Sequence, residues 1–86
     1  MFYVYLLKSL KTSKSYVGFT EKEVKERLTE HNKGKNKFTK TNIPLKLVYY
    51  ESYFCKIDAL HREKFLKSGI GNKLVKIILR ELDNGA

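Results

Sequence analysis

Phe2-Tyr3-Val4-Tyr5-Leu6-Leu7 and Ser15-Tyr16-Val17-Gly18-Phe19 are two short runs of aromatic, aliphatic and β-branched residues. Ser9, Lys11, Thr12, Ser13 and Lys14 lie between them as a polar turn. This arrangement predicts a β-hairpin with one tyrosine on each strand, Tyr5 and Tyr16. Gly18 interrupts the second strand. A glycine there weakens pairing but lets another backbone or a ligand approach. Both phenols are expected to stay accessible and to face one shallow basic cleft, with Gly18 as the place where the strand opens to a ligand.

Beyond the hairpin, Thr20-Glu21-Lys22-Glu23 has the form of a capping box. It predicts a helix over about 21–33, stopped by Gly34. Val24 and Leu28 form its apolar stripe. Arg27 and His31 are one turn apart on one face, and His31 extends the stripe at its edge. Residues 33–44 read as a loop, with Pro44 excluding ordinary central-strand pairing. The run 45–54 is the strand of highest apolar density and is expected at the centre of the sheet. Residues 56–67 predict a second helix with Ile57, Leu60 and Leu66 on its apolar stripe and Gly69 as its stop. Asn72 is the expected cap of a third helix over about 73–82, carrying Leu74, Val75, Ile78 and Leu82. Residues 83–86 read as a frayed tail. The order β-β-α-β-α-α predicts an α+β fold, a three-stranded sheet flanked by three helices, in a single domain spanning 1–86.

Composition narrows the partners. Eighteen Lys and Arg stand against nine Asp and Glu, a net charge of +9 on 86 residues. That balance favours nucleic acid first and an anionic membrane surface second. Cys55 is the only cysteine, which excludes an internal disulfide and a cysteine zinc cluster. No apolar run approaches the ~20 residues of a membrane span. No basic segment followed by an apolar core marks a signal peptide, so a cytoplasmic location is expected.

Glu63 is the most informative single residue. It falls on the stripe between Leu60 and Leu66, where a carboxylate is costly unless paired, protonated or bound to a metal. An ion pair with a neighbouring Lys or Arg, or a rim position in reach of water, accounts for it structurally. A functional carboxylate would suit Mg²⁺, which takes oxygen ligands and keeps several waters. Arg27 fits a forked phosphate contact, but taken by itself it reads first as a solvated helix arginine. His31 reads as a general base, a phosphate donor or a satisfied structural histidine. Tyr5 and Tyr16 read as phosphate donors, as activators of a water, or as core aromatics. Tyr49 and Tyr50 point to opposite faces, and which of them joins Tyr5 stays open. His61 reads as exposed, with no role. Lys33, Lys35, Lys37 and Lys40 surround Phe38, a pattern suited to backbone phosphates and a stacked base.

The ordered set Tyr3-Val4-Tyr5, Tyr16-Val17-Gly18, Arg27 and His31, then Glu63 resembles the GIY-YIG nuclease domain, over nearly the whole chain. The segments Arg27-Leu28-Thr29-Glu30-His31-Asn32, Lys37-Phe38-Thr39, Leu47-Val48-Tyr49-Tyr50-Glu51 and Ala59-Leu60-His61-Arg62-Glu63-Lys64 are similar to its small stand-alone members. Tyr3 stands where the family name has glycine, and Val4 and Val17 replace isoleucine. The resemblance implies a phosphodiesterase site with one divalent metal ion, Mg²⁺ or alternatively Mn²⁺, with Glu63 as its ligand. It implies that Tyr5 and Tyr16 line the site, that Arg27 holds the scissile phosphate and that His31 supports it. The implied substrate is DNA, with RNA as an alternative, and the implied setting is DNA repair or recombination. Recognition is expected through backbone and shape rather than bases, by a monomer or weak dimer. The competing expectation is a basic nucleic-acid-binding module with a vestigial or very slow site. A subunit that recruits partners is the weaker third.

Overall fold

A computed structural model describes residues 1–83. The first eight-residue strand, β1 (Phe2–Ser9), pairs antiparallel with β2 (Ser15–Thr20), and both register and turn fit the hairpin. The turn is closed by Ser9, whose hydroxyl accepts from the Lys11 and Thr12 amides at 3.0 and 2.9 Å. The third strand, β3 (Leu45–Tyr53), pairs with the other side of β1, giving the order β2-β1-β3. Thus β1 is central and β3 an edge strand, against the expectation for 45–54. The difference is physical. Val4 to Leu7 is unbroken apolar sequence and is buried on both faces, whereas Lys46, Glu51 and Ser52 keep β3 at a solvated margin.

Helix α1 (Val24–Asn32) covers one face of the sheet and is shorter than 21–33. The capping box does not form, because Thr20 is the last residue of β2. It is buried, and its hydroxyl accepts from the Lys22 amide at 3.0 Å as a local turn. Gly34 does stop the helix, at φ 78°, with its amide on the His31 carbonyl at 3.0 Å. Asn32 then clamps the start of β3, its side chain bonding the Leu45 amide and carbonyl at 2.7 and 3.0 Å.

Helices α2 (Lys56–Lys67) and α3 (Gly69–Ile78) cover the opposite face. The buried stripe of α2 is Ala59 and Leu66. Ile57 and Leu60 point outward, and Glu63 keeps its place on the stripe, four residues after Ala59. Gly69 does not end α2 but begins α3. Ser68 separates the two and caps α3, its hydroxyl accepting from the Gly71 amide at 3.1 Å. The expected start at 73 and the Asn72 cap therefore give way to an earlier start. A Cβ on Gly71 would lie 1.8 Å from the Phe65 carbonyl oxygen, so only glycine lets the helices turn so sharply. After α3, a π-helical turn (Leu79–Asp83) brings Asp83 onto Lys8, at 2.5 Å, and Lys46. Asp83 is thus tied to the sheet rather than frayed; the rest of the expected tail, 84–86, lies outside the described residues.

Two apolar clusters result. Val4, Leu6, Val17, Ala59, Leu66 and Val75 pack on the α2–α3 side. Tyr5, Leu7, Val24 and Leu45 pack on the α1 side. An irregularity in β3 opposite Leu6 and Leu7 shifts the register by one residue, so that Tyr49 faces the α2 side and Tyr50 shares the face of Tyr5. Tyr50 packs edge-on against Tyr3 at 6.0 Å.

Candidate active site

The site grows from the pairing of Tyr5 with Gly18 across the hairpin. A Cβ on Gly18 would meet the Tyr5 Cζ and hydroxyl oxygen at 2.4 Å. The glycine is therefore a seat for the Tyr5 ring, not an opening for a ligand. Tyr5 is also 2% exposed, so the expectation of two accessible phenols fails for it. Seated on Gly18, its hydroxyl reaches His31 Nε2 at 2.8 Å. His31 is fully buried rather than at the edge, and its Nδ1 meets Thr39 Oγ1 at 2.7 Å. Both imidazole nitrogens are thus satisfied within the fold.

Burial pushes the Tyr5 phenol up to about 12, against the pull of the adjacent Arg27 guanidinium; Tyr16 and Glu63 add smaller upward pushes. Burial likewise drives His31 down to about 4, helped by the Arg27 charge, so it is neutral at pH 7. Arg27 is partly exposed. Burial would lower its pKa, but Glu30 and the Tyr5 hydroxyl hold it above its ordinary value. Its Nη1 donates to Glu30 Oε1 at 2.8 Å, and Lys22 Nζ meets Glu30 Oε2 at 2.5 Å. Those bonds from Lys22 and Arg27 lower Glu30 to about 2. Arg27, Lys22 and Glu30 line an open depression of about 310 Å³.

Tyr16 is half-buried. Its ring lies 5.3 Å from the His31 ring and 6.4 Å from that of Tyr5. Lys67 Nζ sits 5.5 Å from the Tyr16 ring centroid and donates to Glu63 Oε2 at 3.1 Å. Glu63, 20% exposed, is on the rim and ion-paired, as the structural reading of this carboxylate expects. Among the described residues its Oε1 has no hydrogen-bond partner, and no cluster of three or more His, Cys, Asp or Glu forms. This donor set suits a hard cation that takes one carboxylate oxygen and fills its sphere with water and phosphate oxygens. It does not suit one that needs a closed cage.

Five sequence-predicted residues therefore fall in one neighbourhood: Tyr5, Tyr16, Arg27, His31 and Glu63. Lys33, Lys35, Lys37, Phe38 and Lys40 are all exposed, Phe38 at 80%. Phe38 and Tyr16 border a common depression of about 190 Å³, so the loop adjoins the tyrosines. Sequence reasoning missed Lys67, Glu30 and Thr39. The first two carry a readable signal, Glu63–Lys67 at i,i+4 and Arg27–Glu30 at i,i+3. Thr39 carries none, since its partner is set by the loop's path. A second polar cluster was also missed. On the α2 side Glu51 accepts from Tyr49 and Tyr53 hydroxyls, both at 2.6 Å, and from Arg62 at 2.9 and 3.0 Å.

The fold and the site define a small basic α+β domain in which tyrosines, an arginine, a histidine and a carboxylate meet beside β2. A family profile described as the GIY-YIG catalytic domain matches residues 1–74. The chain belongs to the GIY-YIG family, a nuclease family. It is 36% identical over 77 residues to a UPF0213 protein of Staphylococcus saprophyticus, covering 88% of this chain and 92% of that one. A UPF0213 protein of Staphylococcus haemolyticus is 39% identical over 77 residues with the same coverage. Those names state no activity. No solved structure matches the chain significantly. Among the described residues no helix is long and apolar enough to cross a membrane.

Proposed function

We propose that the protein is a metal-dependent endonuclease that hydrolyses phosphodiester bonds in DNA, with water as nucleophile. The observation that carries this reading is the meeting of Arg27, the Tyr5–His31 pair, Tyr16 and Glu63 beside an exposed lysine-rich loop. Lys33, Lys35, Lys37 and Lys40 engage backbone phosphates, and Phe38 stacks on a base. Arg27, poised beside Tyr5, turns its fork to the scissile phosphate and offsets charge that grows in the transition state. Lys67 adds a second cation. The Tyr16 hydroxyl donates to a phosphoryl oxygen. The attacking water gives its proton to the Tyr5 oxygen as the phenol proton passes to His31 Nε2, an imidazole that burial holds neutral but makes a weak base. Tyr5 alone is a poor base, because its phenol stays protonated at neutral pH.

Glu63 would hold one divalent ion, Mg²⁺ or Mn²⁺. When bound, that ion supplies neutralisation of phosphoryl charge and a template for in-line attack. An exposed free Cys55 suits a reducing, cytoplasmic setting. DNA repair or recombination is the setting we propose, with RNA as a further substrate to be tested. The burial of Tyr5 and the engagement of Arg27 by Glu30 favour a second reading, a binding module whose site turns over very slowly.

A panel of labelled single-stranded, duplex and branched DNA, and RNA, with Mg²⁺, Mn²⁺ or chelator, decides between them. The nuclease reading predicts metal-dependent cutting that Arg27→Ala abolishes. Salt-sensitive binding with no cutting of any substrate would leave the binding module.

A further inference from the structure

We propose that Thr39 is a positioning residue: its hydroxyl ties the lysine-rich loop to Tyr5 through His31 and fixes which imidazole nitrogen carries the proton. This rests on the nuclease reading of the same site. Tyr5, His31 and Thr39 form one continuous chain of hydrogen bonds, with Tyr5 hydroxyl to Nε2 at 2.8 Å and Nδ1 to Oγ1 at 2.7 Å. All three residues are at most 2% exposed. No solvent therefore competes for these bonds, and each proton in the chain has a definite place.

The direction of the chain follows from its ends. Tyr5 keeps its proton at neutral pH, and among the described residues His31 is the partner its hydroxyl reaches, while the nearby Arg27 guanidinium offers only donors. The phenol proton is then free to point the other way, to Nε2. A neutral imidazole that accepts at Nε2 carries its single proton on Nδ1, and that proton needs an acceptor. Thr39 Oγ1 is that acceptor. With Nε2 bare, His31 can receive a proton from Tyr5. With Nε2 protonated it cannot.

Thr39 is also the residue after Phe38 and the residue before Lys40, in the loop proposed to hold the nucleic acid. Its amide bonds the Asn36 carbonyl at 3.3 Å, and the Asn36 side chain accepts from the Phe38 amide at 2.8 Å. A strand seated on Phe38 and the lysines thus bears directly on the group that sets the His31 tautomer. Loop engagement and proton acceptance share one hinge.

The test is long-range ¹H–¹⁵N NMR of histidine-labelled protein, with His31 assigned by its loss in His31→Gln. The wild type is expected to show the Nδ1–H tautomer. Thr39→Val removes the acceptor while keeping the shape, and is expected to lose that tautomer. Thr39→Ser is expected to retain it. In cleavage, Thr39→Val should lower kcat about 10-fold or more, and Thr39→Ser should restore it. An Nε2–H tautomer in the wild type overturns the proposal, as does an unchanged tautomer in Thr39→Val. If Thr39→Val does not fold, the wild-type and Thr39→Ser tautomers decide alone. Absence of cleavage by every protein, wild type included, counts against the nuclease reading, while the tautomer still decides the role of Thr39.

Discussion

Gly18→Ala adds one methyl group where the hairpin has no room for it. The new Cβ would sit 2.4 Å from the Tyr5 Cζ and hydroxyl oxygen. An ordinary contact needs 3.4 Å or more, so the end of the ring must move by about 1 Å. In an exposed side chain that motion would be cheap. Here the ring is buried and its hydroxyl is bonded to His31 at 2.8 Å, so the same shift takes that bond out of range. Overpacking of this kind costs about 1–3 kcal/mol. A buried donor left unsatisfied costs about 1–3 kcal/mol more. A domain of this length loses about 4–8 °C of Tm per kcal/mol, so the combined cost of about 2–6 kcal/mol predicts a fall of at least about 8 °C by circular dichroism. Displacing the phenol by ~1 Å should also cost about 10²-fold in cleavage. A variant with the wild-type Tm and wild-type rate would refute the claim that Gly18 is the seat of Tyr5.

Three further outcomes follow from the same geometry. His31 has a folded pKa of about 4 against an ordinary 6.5, so the unfolded chain binds the extra proton first. Its contribution to stability is full above about pH 6.5 and is lost as pH falls towards 4. The lowered carboxylates Glu30, Glu51 and Asp83 add their losses only below about 4.5. Thermal melts between pH 7 and 5 should therefore slope in the wild type and flatten in His31→Gln; equal slopes would contradict the assignment. Lys35→Ala with Lys37→Ala should lower DNA affinity and reduce the slope of log affinity against log salt by about 0.9 for each phosphate no longer neutralised. An unchanged slope by fluorescence anisotropy would remove those lysines from the interface. Glu51→Ala should destabilise by about 3 kcal/mol in urea melts, because it strips Arg62, Tyr49 and Tyr53 of their shared acceptor. A change within ~0.5 kcal/mol, typical of surface sites, would contradict that role.

The hairpin, the three-stranded α+β architecture and the order of elements were legible because they rest on local signals: β-rich runs, a polar turn, Gly34 as a stop. What failed depended on partners distant in sequence. β3 looked central because apolar density was its one visible property, and the sequence does not say that β1 has neighbours on both sides. Tyr49 and Tyr50 take their faces from a register shift that no residue announces. Gly18 announced a close approach, but the approaching group is Tyr5 and not a ligand. At the site, helical spacing placed Arg27 beside His31 and made Glu63 conspicuous, while the roles of these residues and of Tyr5 and Tyr16 came from the resemblance to the GIY-YIG domain. Thr39 was invisible because only the folded loop brings it to His31.

The central claim is that Glu63 holds the ion on which cleavage depends. Its direct test is cutting of labelled DNA by the wild type and by Glu63→Ala, each in Mg²⁺ and in chelator, with folding checked by circular dichroism. The wild type is expected to cut only with the metal, and Glu63→Ala, folded, to lose at least about 10²-fold in rate. Cutting by the wild type that persists in chelator, or cutting by Glu63→Ala at the wild-type rate, would contradict that claim.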